Sequence, residues 1–416
     1  MQSETPDTNI LVWLPSPMGD AILCTPALRA VRERFKSSRI TFLANPVVRE
    51  ILSPGVFNDE WIEHEEKDPL AISRLLRRHR FSHAILFKNS FASALAALLA
   101  GIPSRIGYAR EKRGFLLTDR LQAPKLTSGR FEPRSMIDYY LAVASWLGAE
   151  TTNRSLELPV APGAGDSIRS RLPELAGTGG PVVVLVPGGA FGASKCWPSE
   201  RFAQIADRLI TDHNATVVIS VAPEPAEKQI AQNICDSSEH TLINLGENPL
   251  SIGELKALFS VADLVIANDT GPRHIAIALQ RKVVTLFGPN DPAWTETGYE
   301  NETQIIGNVP CAPCSRPDCV KSRHICMQAI TVDMVCNAAK ELLEGGRGHR
   351  ILAARQKLME TSDSFFLDPN YWSGLLNLGL TSIDAVFAFE AATNLNKSNL
   401  AGFRSRAQFE IEVAGS

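Results

Sequence analysis

Short apolar runs alternate with amphipathic segments along the first 170 residues. The run 10–14 (ILVWL) is typical of a buried parallel strand, and Cys24, Leu28, Val31 and Phe35 follow it at helical spacing. The same order of strand and helix returns at 39–44, 84–87 and 91–99. Because strands that alternate with helices pair in parallel, the pattern predicts an open sheet with helices on both faces.

The alternation restarts after a stretch rich in Gly and Pro at about 155–180. Strands are predicted at 182–186, 217–221, 264–267 and 283–287, and helices at 198–211, 226–235, 255–259 and 272–279. The chain is therefore predicted to be an α/β protein of two doubly wound domains, 1–170 and 171–346. Residues 347–416 carry little strand signal, and we interpret them as an appendage.

Composition narrows the class of protein. The 416 residues are 44% hydrophobic and 21% charged, with a formal net charge of −3, so the chain is neither disordered nor a general binder of nucleic acid. Residues 1–170 hold 22 Lys and Arg against 18 Asp and Glu, which makes this half the better partner for an anion. Without a signal peptide or a run long enough to span a bilayer, we expect a cytoplasmic protein.

Three loops that follow predicted strands carry unusual residues, and the first contains Asp20. This residue follows Pro17-Met18-Gly19 at the entrance of the first helix. Asp is a favoured N-cap, so a capping role is one interpretation. The other is a carboxylate placed in a cleft, where it serves as a general base.

The second loop spans residues 187–195 (PGGAFGASK). Backbone amides at Gly188 and Gly189, with the ammonium group of Lys195, suit a phosphate. The loop matches neither a Walker motif nor a dinucleotide fingerprint, which disfavours ATP hydrolysis and nicotinamide binding. A flexible turn with a solvated lysine is the alternative interpretation.

The third loop spans residues 268–274 (NDTGPRH), and its Pro272 suits the first turn of a helix. The amides of Thr270 and Gly271 would point at an anion there, with Asp269 and His274 beside them. A capped helix with a packed histidine is the alternative.

Ligands of open α/β sheets bind beyond the carboxyl ends of the strands, so the three loops predict one shared cleft. In this hypothesis Asp20 removes the proton from an acceptor hydroxyl. Lys195 and the amides near Gly271 stabilise a leaving diphosphate, and the transfer needs no metal cofactor.

Five segments together resemble glycosyltransferase family 9, the heptosyltransferases that build the inner core of lipopolysaccharide. They are ILVWLPSPMGDAI, FKNSFASALAALLAGIPSRIGY, VPGGAFGASKCWPSERFAQIA, ANDTGPRHIAIAL and VTLFGPNDP, in this order along residues 9–345. The resemblance implies a GT-B fold, in which two Rossmann-like domains face a central cleft. It also implies an inverting, metal-independent transfer from ADP-L-glycero-D-manno-heptose.

The resemblance assigns roles to residues of this sequence. It implies that Asp20 is the catalytic base and that Gly188, Gly189 and Lys195 meet the donor phosphates. Further donor contacts are implied for Asp269, Thr270, Gly271, His274 and, by a looser alignment, Glu227. Acceptor contacts are implied for Asn89, Ser90, Arg110 and Arg113. Cys196 stands where relatives often carry a basic residue, and Arg273 is a candidate to compensate for it.

The implied acceptor is the core oligosaccharide linked to lipid A, which would bring the protein to the cytoplasmic face of the inner membrane as a peripheral protein. The basic runs 74–80 and 110–113 suit such a surface, although solvated helix faces are the alternative for the first run. Residues 379–413 resemble the start of a lipopolysaccharide-kinase-like domain, and we expect no kinase activity from so short a segment.

Four cysteines, Cys311, Cys314, Cys319 and Cys326, are spaced C-x2-C-x4-C-x6-C. Thiolates at this spacing suit a structural zinc ion or an iron–sulfur cluster, and reduced, partly packed thiols are the alternative. Two other functions also stay open. One is a transferase of the same fold with a different nucleotide sugar or acceptor, and the other is a non-catalytic module that binds a nucleotide sugar or a metal.

Overall fold

The computed structural model describes residues 8–65, 67–176, 179–189, 191–320 and 324–353. The first sheet contains β1 (Asn9–Trp13), β2 (Arg39–Ala44), β3 (Glu60–Glu63), β4 (His83–Leu86), β5 (Ser104–Tyr108) and β6 (Asp119–Leu121). Its helices are α1 (Met18–Leu23), α2 (Thr25–Arg34), α3 (Pro46–Leu52), α4 (Pro69–Arg77), α5 (Phe91–Leu99) and α6 (Met136–Trp146), and α7 (Ala164–Arg171) follows.

The second sheet contains β7 (Val182–Val186), β8 (Thr216–Ile219), β9 (Ile243–Asn244), β10 (Leu264–Asn268), β11 (Lys282–Phe287), β12 (Glu302–Gly307) and β13 (Arg350–Ala353). Its helices are α8 (Ser199–His213), α9 (Pro225–Ser237), α10 (Ile252–Val261), α11 (Gly271–Ala278), α12 (Ile325–Ala329) and α13 (Val332–Leu343). Short 3₁₀ helices lie at Gly114–Leu116, Pro173–Ala176, Ala193–Lys195 and Pro292–Thr295.

Within the described residues every strand of both sheets pairs in parallel, in the orders β3-β2-β1-β4-β5-β6 and β13-β12-β11-β10-β7-β8-β9. Central strands such as Val182–Val186 are buried along their whole length, as expected when helices cover both faces. The predicted α/β class with two doubly wound sheets is therefore confirmed.

Three strands of the second sheet were not predicted: the two-residue β9, β12 and β13. β12 has the sequence ETQIIG, and its polar first half does not resemble a buried strand. Glu302, Thr303 and Gln304 are nevertheless buried in the structure. β13 lies beyond residue 346, where the sequence analysis ends the second domain, and pairs with β12 from Arg350 to Ala353. The sheet thus includes the start of the predicted appendage, and the kinase-like stretch 379–413 lies outside the described residues.

Apolar and polar contacts join the two sheet units. One hydrophobic cluster includes Val48 and Ile51 of α3 together with Ala257 and Leu258 of α10. From α10 the buried Lys256 ammonium donates to the carbonyls of Ile51 (3.0 Å) and Pro159 (3.1 Å). These contacts join α3 and the segment at Pro159 to α10 of the second sheet unit.

Candidate functional site

The candidate residues follow the strands at which each sheet reverses its winding. In the first sheet β1 and β4 are neighbours at this switch point, and they are followed by Asp20 and by Asn89. In the second sheet β7 and β10 are the neighbours, and they are followed by Lys195 and Asp269. Crevices at such points are where open α/β sheets bind ligands.

Asp20 lies inside the first turn of α1 and does not cap it. The N-cap is Pro17, and no side chain donates or accepts a capping hydrogen bond there. Burial raises the pKa of the Asp20 carboxyl to about 6. The capping interpretation is therefore wrong, and a partly buried carboxyl with a pKa near neutrality is suited to a general base.

The start of α1 packs against the start of α11, so the two sheet units meet at the site. A Cβ atom on Gly19 would lie 3.3 Å from Cδ2 of His274 and 3.7 Å from Cα of Gly271. On the other side, a Cβ atom on Gly271 would lie 2.6 Å from Cε of Met18. Two glycines thus allow the helix of Asp20 to approach the helix N-terminus predicted to hold an anion.

Lys195 and Asp269 form a buried ion pair. The ammonium group donates to the Asp269 carboxylate (2.7 Å) and to the Asp269 carbonyl (2.6 Å). Burial opposes ionisation of Asp269, but Lys195 and Arg273 outweigh it and hold the pKa of this carboxyl below its usual range. Asn290, which sequence reasoning missed, also donates to Asp269 (3.3 Å). The pair thus fixes the Lys195 ammonium group beside Asp269, the residue that directly follows β10.

Thr270 and His274 keep polar atoms that no described residue satisfies. Thr270 is the N-cap of α11, but its side chain makes no cap, and its buried Oγ1 atom has no partner among the described residues. The same holds for Nδ1 of His274. Burial, aided by Arg273, lowers the pKa of His274 to about 3, so the ring stays neutral. Unpaired buried polar atoms are costly, and a bound ligand is a way to satisfy them.

Glu227 binds the loop at residues 187–195 through its carboxylate. Its carboxylate accepts from the amides of Gly189 (3.1 Å) and Ala222 (2.8 Å). A Cβ atom on Gly188 would lie 2.2 Å from this carboxylate, so the glycine leaves the space that Glu227 occupies. In this structure the Glu227 carboxylate thus acts on the loop itself.

The loop at residues 187–195 also contacts the loop that contains Cys311, Cys314 and Cys319. Ser194 donates from its amide to the carbonyl of Pro317 (3.0 Å) and from its hydroxyl to the carbonyl of Arg316 (2.6 Å). Gly192 adopts a φ of 146°, and a Cβ atom there would lie 2.3 Å from the Pro317 oxygen. The loop that carries Lys195 is therefore fixed at two points, by Glu227 at Gly189 and by Arg316 and Pro317 at Ser194.

Arg273 does not compensate for Cys196 at the phosphates. Its guanidinium is fully buried and pairs with Glu302 through Nε (2.5 Å) and Nη2 (3.0 Å). Nη1 donates to the Thr295 hydroxyl (3.0 Å). The Arg273 side chain thus joins α11 to β12 and to Thr295. The expectation that it faces the donor is wrong.

On the acceptor side, Arg113 organises the loop after β4 and does not face the cleft. It is fully buried and donates to the carbonyls of Tyr108 and Lys88, to the Ser93 hydroxyl and to the Asn89 side chain. Burial lowers the pKa of its guanidinium to about 10. The predicted direct contact between Arg113 and an acceptor is therefore replaced by a positioning role.

The other predicted acceptor residues lie nearer the surface. Ser90 caps α5 by accepting from the Ser93 amide (3.1 Å), and Asn89 is half-buried beside it. The guanidinium of Arg110 lies 4.0 Å from the ring centre of Phe131 and stays partly exposed. Asn89, Ser90 and Arg110 are all half-buried, and Asn89 accepts from the buried Arg113.

Replacing Arg113 by Met should lower the free energy of unfolding by about 3 kcal/mol, because several buried acceptors would lose their donor. The adjacent Lys112 is exposed, so Lys112→Met is the matched control and should change stability by less than about 0.5 kcal/mol. Urea unfolding of both variants measures the difference. Equal midpoints for Arg113→Met and the unaltered chain would rule out the positioning role.

Cys311, Cys314, Cys319 and Cys326 form no disulfide in the described residues. Burial raises the pKa of the Cys326 thiol to about 12, and the nearby Cys311 adds to the shift. Among the described residues, no group of three or more His, Cys, Asp or Glu side chains is arranged to hold a metal ion. Residues 321–323, between Cys319 and Cys326, lie outside that set, and a structural metal stays a prediction.

Comparison with known proteins identifies the family of this chain. A model of glycosyltransferase family 9 (heptosyltransferase) matches residues 70–324. Lipopolysaccharide heptosyltransferase 2 of Escherichia coli K12 is 28% identical over 303 residues, which are 69% of this chain and 84% of that protein. Lipooligosaccharide heptosyltransferase 2 of Campylobacter jejuni serotype O:6 is 23% identical over 340 residues, 80% of this chain and 99% of that protein.

The solved structure of E. coli ADP-heptose lipopolysaccharide heptosyltransferase II superimposes with a TM-score of 0.67 at 25% identity, over 81% of this chain and 99% of that one. The GT-B-like arrangement of two α/β units is thereby confirmed. No helix of the described residues is both long and apolar enough to cross a membrane. The family model covers more than half of the sequence, and the chain belongs to glycosyltransferase family 9, the heptosyltransferases.

Proposed function

We propose that this protein transfers heptose from ADP-L-glycero-D-manno-heptose to the inner core of lipopolysaccharide, on the cytoplasmic face of the inner membrane. The names of its relatives support the sugar and the acceptor. The observation that carries the proposal is the contact between the starts of α1 and α11, since it brings the helix of Asp20 to the helix N-terminus beside Lys195.

In the proposed reaction the oxygen of an acceptor hydroxyl attacks the anomeric carbon of heptose, and Asp20 accepts the proton of that hydroxyl. The bond from that carbon to the diphosphate breaks on the opposite face, so ADP leaves and the anomeric configuration inverts. Asp20 holds the proton until solvent removes it.

Charge on the departing diphosphate is met by groups of the second sheet unit. Lys195 supplies a cation that Asp269 holds in place, and the first amides of α11 supply hydrogen bonds along the helix dipole. The Thr270 hydroxyl and the neutral His274 ring offer further donors. Because these groups offset the developing charge, the proposed transfer invokes no metal ion.

Transfer activity should decline in acid as the base becomes protonated. With a pKa of about 6, Asp20 is ionised above that pH and protonated below it. We therefore expect kcat/KM to be level above pH 7 and to fall about tenfold per pH unit below 6. Initial rates between pH 4.5 and 8 measure this limb, and rates that stay level from pH 8 down to pH 5 would contradict a buried Asp20 as the base.

The function is tested with the purified full chain, ADP-heptose and a truncated core acceptor that lacks the heptose to be added. Mass spectrometry should show the acceptor gaining one heptose with stoichiometric release of ADP, and the anomeric configuration of the product should be inverted. A panel of uridine and guanosine sugars is the specificity control. Preference for one of these donors would overturn the proposed substrate while leaving the family assignment intact.

A further inference from the structure

Helix α5 has an outward face without a charged or polar side chain. Its sequence is FASALAALL, and its one polar residue, Ser93, is buried. Phe91 is 41% exposed and Leu98 is 39% exposed, with the half-buried Leu95 between them. Positions 91, 95 and 98 share one side of a helix. A surface helix ordinarily places polar residues there, so this face calls for a partner.

A second aromatic side chain extends the same surface. Phe115 lies on the 3₁₀ helix after β5 and is 71% exposed. Its ring centre is 6.1 Å from that of Phe91. We call Phe91, Leu95, Leu98 and Phe115 the α5 patch.

Basic side chains border the α5 patch at both ends. The exposed Lys112 precedes Phe115 by three residues, with the exposed Glu111 beside it. At the other end Arg77 donates to the Leu99 carbonyl at the end of α5 (2.6 Å). Two further exposed arginines of the adjoining helix region are Arg74 and Arg78. Exposed basic side chains thus lie on the segments next to both ends of α5.

The α5 patch is joined rigidly to the candidate acceptor loop. Ser90 caps α5, and Phe91 is the next residue. Arg113 donates to the Asn89 side chain and lies one residue before the 3₁₀ helix that carries Phe115. An acceptor sugar at Asn89 would therefore have its lipid anchor beside the exposed rings.

We propose that the α5 patch docks on an anionic phospholipid bilayer, with Phe91, Leu98 and Phe115 at headgroup depth and the basic side chains against lipid phosphates. Apolar area and cationic charge together give reversible binding of this kind. The inference rests on the proposed function, which supplies the lipid-linked acceptor. Binding to vesicles is nevertheless measured without any heptose transfer.

The test is sedimentation of the full chain with vesicles of phosphatidylethanolamine and phosphatidylglycerol, compared with phosphatidylcholine alone. The unaltered chain should bind the anionic vesicles more tightly, and salt should weaken the binding. Phe91→Ser/Phe115→Ser should reduce partitioning about tenfold or more, and Lys112→Gln about fivefold. The matched controls Leu352→Ser and Lys36→Gln, exposed elsewhere, should stay within twofold.

Each variant is also assayed with a water-soluble truncated acceptor, on which all should keep wild-type rates. Urea midpoints confirm that the double variant is folded. Equal binding of the double variant and the unaltered chain, or equal binding to neutral and anionic vesicles, would overturn the α5 patch as a lipid surface. So would a patch-dependent dimer in analytical ultracentrifugation. Vesicle binding by a chain that transfers no heptose would refute the proposed function alone.

Discussion

Replacing Asp20 by Asn should lower kcat for heptose transfer about a thousandfold and leave the affinity for ADP within twofold. Asn has the shape of Asp but accepts no proton at neutral pH, and general bases contribute roughly 10²- to 10⁴-fold. Donor contacts survive because Lys195 and α11 belong to the other sheet unit. Transfer rates measure the first effect, and calorimetric titration with ADP measures the second.

The same substitution should not destabilise the fold. Burial raises the pKa of Asp20, which means that the folded state penalises its charge, and a neutral amide removes that penalty. We expect a urea midpoint equal to or above that of the unaltered chain. Asp166→Asn, at a side chain 93% exposed, is the matched control and should change neither activity nor stability. Full turnover by Asp20→Asn would eliminate this residue as the base.

The location of the site was predictable because it follows from sheet topology. Buried runs such as ILVWL and VVVLV mark central strands, and the loops after them contain Asp20 and Lys195. Parallel pairing then places those loops at one edge of each sheet, whatever the details of packing. The contact of Gly19 with Gly271 was expected only as a shared cleft, since helix approach depends on distant parts of the chain.

The roles of the arginines were not predictable in the same way. Arg113 and Arg273 were expected to meet the acceptor and the donor phosphates, yet both side chains are fully buried. Their partners are backbone carbonyls in one case and Glu302 in the other, and the latter is 29 residues away in the sequence. Burial of a charge depends on such distant partners, and no local pattern reveals them.

Asn290 is a different kind of omission, because a signal was present. It follows β11 in the turn GPNDP, and the rule that identified the other three loops applies to this one as well. Its amide reaches the Asp269 carboxylate, so it belongs to the group that orients Lys195.

Replacing Lys195 by Met should lower kcat/KM by a factor of about 10² to 10³ and weaken the binding of ADP. The cation that faces the leaving diphosphate is lost, and a single preorganised donor contributes effects of this size. The chain should remain folded because Arg273 still lies 3.8 Å from the Asp269 carboxylate, although the pKa of Asp269 rises without its nearer partner. Steady-state kinetics and calorimetry measure the two losses.

The matched control for Lys195→Met is Lys256→Met, at a second buried lysine. Lys256 of α10 donates to the backbone carbonyls of Ile51 in α3 and of Pro159, so its loss should lower the unfolding free energy and leave the affinity for ADP unchanged. Asp269→Asn should lower activity too, and the double variant Lys195→Met/Asp269→Asn should lose much less than the product of the two single effects. The reason is that Asp269 acts through Lys195, and residues that act as a unit are not additive. Fully multiplicative losses would show that Asp269 meets the donor independently, and wild-type affinity for ADP in Lys195→Met would remove the lysine from the donor site.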